Sequence, residues 1–84
     1  MLEHALFERL PNWSQVEMLN RNGILLAQRA FNGSTVSLYA LNDFFVERWS
    51  KNQVEVIGSF YRTANPMQIF EPYLNGVEVE GIEE

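Results

Sequence analysis

The sequence has 84 residues and a formal net charge of −5 at pH 7, and 46% of its residues are hydrophobic, which suits one small ordered domain and excludes disorder for most of the chain. Cysteine is absent, which excludes disulfide bonds and zinc sites built on thiolates. The six lysine and arginine residues are scattered and form no basic stripe, so the sequence predicts no nucleic-acid binding.

A short amphipathic helix is predicted at the N-terminus. Leu2, Leu6 and Leu10 recur at helical spacing, and Pro11 must end the helix because proline has no amide hydrogen to donate. The only histidine, His4, lies in this helix. Without a second histidine or a cysteine it predicts neither a catalytic triad nor a metal site, and we expect it to be exposed to solvent.

A second short helix is predicted directly after the first. Ser14 and Glu17 form a capping-box pattern, and Trp13 is placed to pack on the new helix as a hydrophobic staple. The pair Asn22-Gly23 supplies a left-handed stop, so this helix is predicted over residues 15–21. The alternative is a strand that turns at the same Asn-Gly pair, which is also a hairpin signal.

The middle of the chain predicts an antiparallel β-meander, because β-branched and aromatic residues are frequent and turn dipeptides recur about every ten residues. The predicted strands are Ile24–Phe31, Ser34–Leu41, Phe44–Ser50 and Val54–Tyr61. They are joined by turns at Asn32-Gly33, Asn42-Asp43 and Lys51-Asn52. The first turn suits a type I′ hairpin, since asparagine and glycine accept positive φ.

A short C-terminal helix and an acidic tail complete the predicted α+β fold. Asn65-Pro66 is typical of a helix start, and Pro72 and Asn75-Gly76 are expected to limit the helix. We assign residues 1–76 to a single domain and residues 77–84 to a tail or short edge strand. Residues 1–70 hold six acidic and six basic side chains, so the whole excess of negative charge lies at the C-terminal end.

With two-residue turns, strand alternation defines two faces of the sheet. The first face is mostly apolar and carries Arg29 and Glu47, while on the second face Arg48 is expected directly opposite Glu55. We expect all three helices to cover the first face. An apolar patch would then stay exposed on the second face, formed by Ile24, Leu26, Tyr39, Leu41, Phe44, Val46 and Ile57. In the alternative arrangement a helix or the tail covers this patch, and a one-residue bulge would exchange the faces beyond it.

Glu47 is the most prominent candidate for a binding site. A carboxylate on a covered face is costly unless it is paired, and Arg29 on the same face is placed to reach it. Such a pair binds an anion or acts as a general base, whereas the alternative is a purely structural ion pair. Tyr39 offers a further hydroxyl, so Arg29, Tyr39 and Glu47 are the candidate ligand-binding residues.

A resemblance rests on three segments of the predicted meander, Gly23–Arg29, Val36–Leu41 and Asp43–Trp49. They resemble a pattern found in small uncharacterised bacterial proteins with short helices and an antiparallel meander. The resemblance implies a bacterial cytoplasmic protein and this order of elements, and it implies no activity. It also draws attention to the three candidate ligand-binding residues.

The sequence favours a non-enzymatic interaction module over an enzyme, because no phosphate-binding glycine loop, dinucleotide fingerprint or nucleophile elbow occurs in it. It predicts no cofactor, no metal, no export signal and no membrane span. We expect a cytoplasmic protein that self-associates or binds a protein partner through an apolar sheet face. The alternative is a small-ligand-binding protein or enzyme with a pocket around the three candidate residues.

Overall fold

A computed structural model describes residues 3–60 and 64–82 and confirms the α+β class and the four-stranded antiparallel meander. The elements in chain order are α1 (His4–Arg9), α2 (Asn12–Asn22), β1 (Ile24–Phe31), β2 (Ser34–Leu41), β3 (Phe44–Lys51), β4 (Val54–Ser59) and α3 (Pro66–Ile82). The predicted last strand residue, Tyr61, and the end of the acidic tail, Glu83 and Glu84, lie outside the described residues.

The second helix begins earlier than the capping pattern predicts. Pro11 occupies the position before the helix, and Asn12 ties the start of α2 to the sheet by donating its amide Nδ2 to the backbone oxygen of Glu55 at 3.1 Å. The amide of Ser14 already donates to the Pro11 oxygen inside the first turn. The predicted capping box and staple are therefore wrong, and Trp13 is exposed.

Gly23 ends α2 for a reason other than the predicted left-handed conformation. Its φ is −74°, which any residue adopts, so that prediction is wrong. A Cβ at this position would lie only 2.7 Å from the backbone oxygen of Leu19 and 3.1 Å from the Tyr39 ring. Glycine is needed because the chain passes too close to the preceding helix turn for any side chain.

The turns set the register of the meander. Asn32 and Gly33 have φ of 51° and 83°, which fits the predicted type I′ hairpin. The last loop is Asn52-Gln53, at φ of 52° and 69°, one residue later than predicted. Glu55 therefore pairs with Ser50 and not with Arg48. Because the pairing moves by two residues, each β4 side chain stays on its predicted face.

A bulge interrupts β1 at Leu26. Ala27 pairs with Leu38, whereas Leu25 already pairs with Tyr39, so one residue of β1 has no partner on β2. On the N-terminal side of the bulge, the side chains of β1 lie on the face opposite to the predicted one. Ile24 therefore pairs with Ala40, which belongs to the first face. Ile24 is consequently not part of the second face.

The helices cover both faces of the sheet, so the expectation that all three lie on the first face is wrong. Phe7 of α1 and Leu19 of α2 close a core on the second face, and its sheet residues are Leu41, Phe44 and Val46. On the first face α3 covers Val36 and Leu38 with Ile69 and Tyr73.

The helix α3 is longer than expected. It continues through Pro72 and the Asn75-Gly76 pair to Ile82, so the prediction that these residues end it is wrong. Residues 77–80 accordingly belong to this helix and form no edge strand. Ile69 and Tyr73 pack on the sheet on either side of Pro72, and these contacts hold the helix across a residue that lacks a backbone donor.

Candidate functional site

A buried carboxylate with three neighbouring donors lies between the sheet and α3. The Oε2 atom of Glu47 accepts a hydrogen bond from the Tyr73 hydroxyl at 2.7 Å, and its Oε1 accepts one from the Trp49 indole Nε1 at 3.2 Å. Arg29 reaches the same carboxylate, with Nη2 at 3.7 Å from Oε2. The sequence placed Arg29 and Glu47 on one face, and the structure brings them together there. Tyr73 and Trp49 were not assigned to this site.

Aromatic rings surround the Arg29 guanidinium. Its central carbon lies 5.1 Å from the ring centre of Tyr73, 5.4 Å from that of Trp49 and 5.8 Å from that of Phe31. The Nε atom is buried and has no hydrogen-bond partner within the part of the chain that the structure describes. The ring faces and the Glu47 carboxylate both attract this cation.

Tyr73 is held in its protonated form. Burial raises the pKa of its hydroxyl above the ordinary value, and the neighbouring Glu47 carboxylate raises this pKa further. Tyr73 thus remains a hydrogen-bond donor throughout the neutral range. The hydrogen bond from Tyr73 to Glu47 links α3 to β3.

The end of the first face beyond α3 is uncovered and apolar. We define this open end by Phe31, Trp49, Val54 and Val56. Exposed fractions are 64% for Val54, 58% for Val56 and 49% for Phe31. A groove of about 510 Å³ runs across it, lined by Ser34, Trp49, Lys51, Asn52, Val54 and Val56. Trp49 also donates to Glu47, so the groove adjoins the buried cluster.

A separate polar network lies on the second face. Arg48 binds the carboxylate of Glu55 through two hydrogen bonds of 2.8 and 3.0 Å, diagonally across the strand pair. Its other terminal nitrogen contacts Asn20 of α2 at 3.0 Å and the Tyr39 hydroxyl at 3.4 Å. The hydrogen bond with Glu55 is the main cause that raises the pKa of Arg48. This network anchors α2 to the sheet.

The three predicted ligand-binding residues do not line one pocket. Arg29 and Glu47 lie under α3 on the first face, whereas Tyr39 lies on the second face beside Arg48. The sheet separates them, so the predicted pocket around all three is wrong. Opposite charges on one face correctly indicated the ion pair between Arg29 and Glu47. Side-chain alternation along β2, however, already assigns Tyr39 to the second face.

His4 is buried, contrary to expectation. Its ring stacks edge-on against Phe44 at 5.1 Å, and Nε2 lies 3.1 Å from the Ser59 hydroxyl and 3.4 Å from the Glu8 carboxylate. Ser59 donates its own hydrogen to Glu8 at 3.0 Å. The three side chains link α1 to β4. In the sequence, the separation of four residues between His4 and Glu8 was the feature that could have indicated contact between them on one face of a helix.

The predicted interface residues divide into two groups. Leu41, Phe44 and Val46 are buried beneath the N-terminal helices, and Tyr39 and Ile57 pack partly buried against them. The expectation that this patch is exposed is therefore wrong for these five. Ile24 and Leu26 are exposed at 65% and 44%, at one end of β1.

Residues 3–60 and 64–82 contain neither a metal-binding cluster nor a membrane-spanning helix. No group of three or more histidine or acidic side chains in these ranges is arranged to hold a metal ion. None of the helices there is both long and apolar enough to cross a membrane. Comparison with protein-family models, with curated proteins and with solved structures finds no match to the chain.

Proposed function

We propose that the protein is a non-enzymatic interaction module that self-associates through the open end of its first sheet face. The observation that carries this proposal is the exposure of Val54, Val56 and Phe31 beside Trp49 on one continuous surface. Exposed apolar surface of this kind is typical of interaction sites. The surface that serves as the interface is thus on the opposite side of the sheet from the one that the sequence suggested.

The composition of the groove favours a second copy as the partner. Among the described residues that line it none is acidic and one, Lys51, is charged; its Nζ lies 3.3 Å from the backbone oxygen of Asn32. A twofold contact uses the same surface of both copies, so it would bury Val54 and Val56 of each copy together. Apolar contact without buried unpaired charge is what a stable interface requires.

The experiment is sedimentation equilibrium over a concentration series, comparing the wild type with Val56→Glu. We expect the substitution to lower the limiting mass at least twofold, because it places a carboxylate at the centre of the contact. The matched control is Leu6→Glu, which makes the same kind of change at an exposed residue of α1 on the other side of the molecule.

Two outcomes decide the proposal. Loss of mass in Val56→Glu, with Leu6→Glu unchanged and circular dichroism unaltered in both, supports it. The proposal is contradicted if the wild type and Val56→Glu have the same limiting mass, whether that mass is that of a monomer or of a larger species.

A further inference from the structure

Asparagine followed by glycine is a chemically labile pair, and this chain contains it three times, at residues 22–23, 32–33 and 75–76. The glycine nitrogen can attack the asparagine Cγ because glycine has no Cβ to shield it. The first pair ends α2, the last lies within α3, and Asn32-Gly33 forms the turn between β1 and β2. The three pairs therefore share their chemistry and differ in their backbone setting.

The pair at the end of α2 is held by the helix. Gly23 donates its amide hydrogen to the backbone oxygen of Leu19 at 2.9 Å, and the Asn22 side chain donates from Nδ2 to the Met18 sulfur at 3.0 Å. Attack by the Gly23 nitrogen requires both contacts to break, because the nitrogen must turn from the helix toward the Asn22 side chain. A pair inside a helix is restrained in the same way, since each amide there donates four residues back.

The pair in the turn is held less tightly. Asn32 and Gly33 are both exposed, and both have positive φ. Among residues 3–60 and 64–82, no hydrogen bond is made by the Gly33 amide or by the side chain of Asn32. The backbone oxygen of Asn32 accepts one hydrogen bond, from the Lys51 Nζ at 3.3 Å. The Gly33 nitrogen is therefore not tied to another part of the chain as the Gly23 nitrogen is.

Rotation of one peptide prepares this turn for the reaction. Turning the peptide between Asn32 and Gly33 converts a type I′ turn into a type II′ turn, and both types close a two-residue hairpin. The flanking pair, Phe31 with Ser34, stays in place during this rotation. The contact that is lost is the exposed one from Lys51 to the Asn32 oxygen. The rotation brings the Gly33 nitrogen to the side of the Asn32 Cγ.

We propose that Asn32 is a modification site, at which the side-chain amide is lost spontaneously and an aspartyl or isoaspartyl residue forms. The Gly33 nitrogen forms a bond to the Asn32 Cγ, and Nδ2 leaves as ammonia, which gives a five-membered succinimide ring. One water molecule then opens the ring. Cleavage of the bond to Cγ gives aspartate, whereas cleavage of the bond to the backbone carbonyl carbon gives isoaspartate, whose main chain runs through Cβ and Cγ. No atom changes its oxidation state.

The isoaspartyl product would regulate the open end, and this step rests on the proposed function. Isoaspartate adds one main-chain atom to a turn whose length sets the pairing of Phe31 with Ser34. Phe31 belongs to the open end, and Ser34 lines its groove. Aspartate keeps the turn length, and the neighbouring Lys51 balances its charge. We expect self-association to be lost with isoaspartate and kept with aspartate.

The first test measures the chemistry alone. The wild type is aged under mildly alkaline conditions and digested at intervals, and mass spectrometry quantifies conversion of the amide to the acid at each asparagine. In the folded protein we expect Asn32 to react at least tenfold faster than Asn22. In urea we expect equal rates, because no structure then distinguishes the pairs. A folded protein in which Asn22 or Asn75 reacts at least as fast as Asn32 would overturn the proposal.

The second test measures the effect on association by sedimentation equilibrium before and after ageing. The matched control is Asn32→Gln, because its longer side chain would have to close a six-membered ring, and Gln53 shows that glutamine accepts positive φ in this meander. Fresh Asn32→Asp represents the aspartyl product. We expect the limiting mass to fall on ageing in the wild type and to stay unchanged in Asn32→Gln, while fresh Asn32→Asp matches the fresh wild type.

The two tests separate the modification site from the proposed function. If Asn32 reacts as expected but the fresh wild type is already a monomer, the proposed function fails and the modification site is supported. If the fresh wild type associates and keeps its mass after Asn32 has reacted, the regulation of the open end is contradicted.

Discussion

The two faces of the sheet use their apolar residues differently. On the second face, two short helices close over Phe44 and Val46, and no large apolar side chain of this core remains exposed. On the first face, one helix covers a buried carboxylate and stops short of Val54 and Val56. The difference shows that the second face is closed over its apolar residues, whereas the first face is closed at one end and exposed at the other.

The largest expected effect is at the centre of the second face. Phe44→Ala should lower the free energy of unfolding by about 4 kcal/mol, because it removes a buried ring that contacts both Phe7 and His4. Phe31→Ala at the half-exposed open end is the control, with an expected loss of about 1 kcal/mol or less. Urea unfolding of the isolated variants measures both values. Equal losses would show that the two faces contribute alike to stability.

A smaller effect is expected at the buried cluster. Tyr73→Phe removes the hydrogen bond to the Glu47 carboxylate and should cost about 2 kcal/mol at neutral pH. Because folding raises the pKa of Tyr73, the folded state holds this proton more tightly than the unfolded state does. Its contribution to stability is therefore complete below about pH 10 and is lost as the pH rises above that value.

The pH dependence separates the two faces. Between pH 8 and pH 11 the wild type should lose more unfolding free energy than Tyr73→Phe, as measured by urea unfolding at each pH. The control is Val46→Ala on the second face, which changes no titratable side chain and should keep the alkaline loss of the wild type. If Tyr73→Phe loses as much unfolding free energy between pH 8 and pH 11 as the wild type does, deprotonation of Tyr73 does not cause the alkaline loss of stability.

The smallest effect is expected at the turn that borders the open end. Gln53 has a φ of 69°, and a residue with a side chain pays about 1 kcal/mol for this conformation. Gln53→Gly should raise the free energy of unfolding by about that amount in thermal or urea unfolding. Gly33→Ala, at φ of 83° in the first turn, should lower it by a similar amount. A loss of stability in Gln53→Gly would mean that the glutamine side chain makes contacts that offset the strain.

Local patterns predicted the meander well because its determinants are local. Strand alternation and the two turns at Asn32-Gly33 and Asn42-Asp43 fix which residues of β1, β2 and β3 share a face, and this placed Arg29 with Glu47. The last turn was misplaced by one residue because Gln53 is not a residue type that signals positive φ. The bulge at Leu26 has no glycine to mark it, so the exchange of faces before Ala27 was not visible in the sequence.

The candidate site depended on tertiary placement, which local patterns do not determine. The covering of each face follows from how Phe7, Leu19 and Tyr73 pack, and these residues are distant in sequence from their partners. Tyr73 is 26 residues away from Glu47, so its donation to the carboxylate could not be read from spacing. The open end likewise exists only because α3 lies over Val36 and Leu38 and not over Val56.

The chain order of the elements has a consequence for synthesis. The helices α1 and α2 leave the ribosome before any strand, yet the residues they cover, Leu41, Phe44 and Val46, belong to β2 and β3. Until β3 has emerged, Phe7 and Leu19 have no surface to pack on. The nascent chain therefore passes through a period with unpartnered apolar helices, and that period ends when the third strand pairs with the second, well before α3 is made.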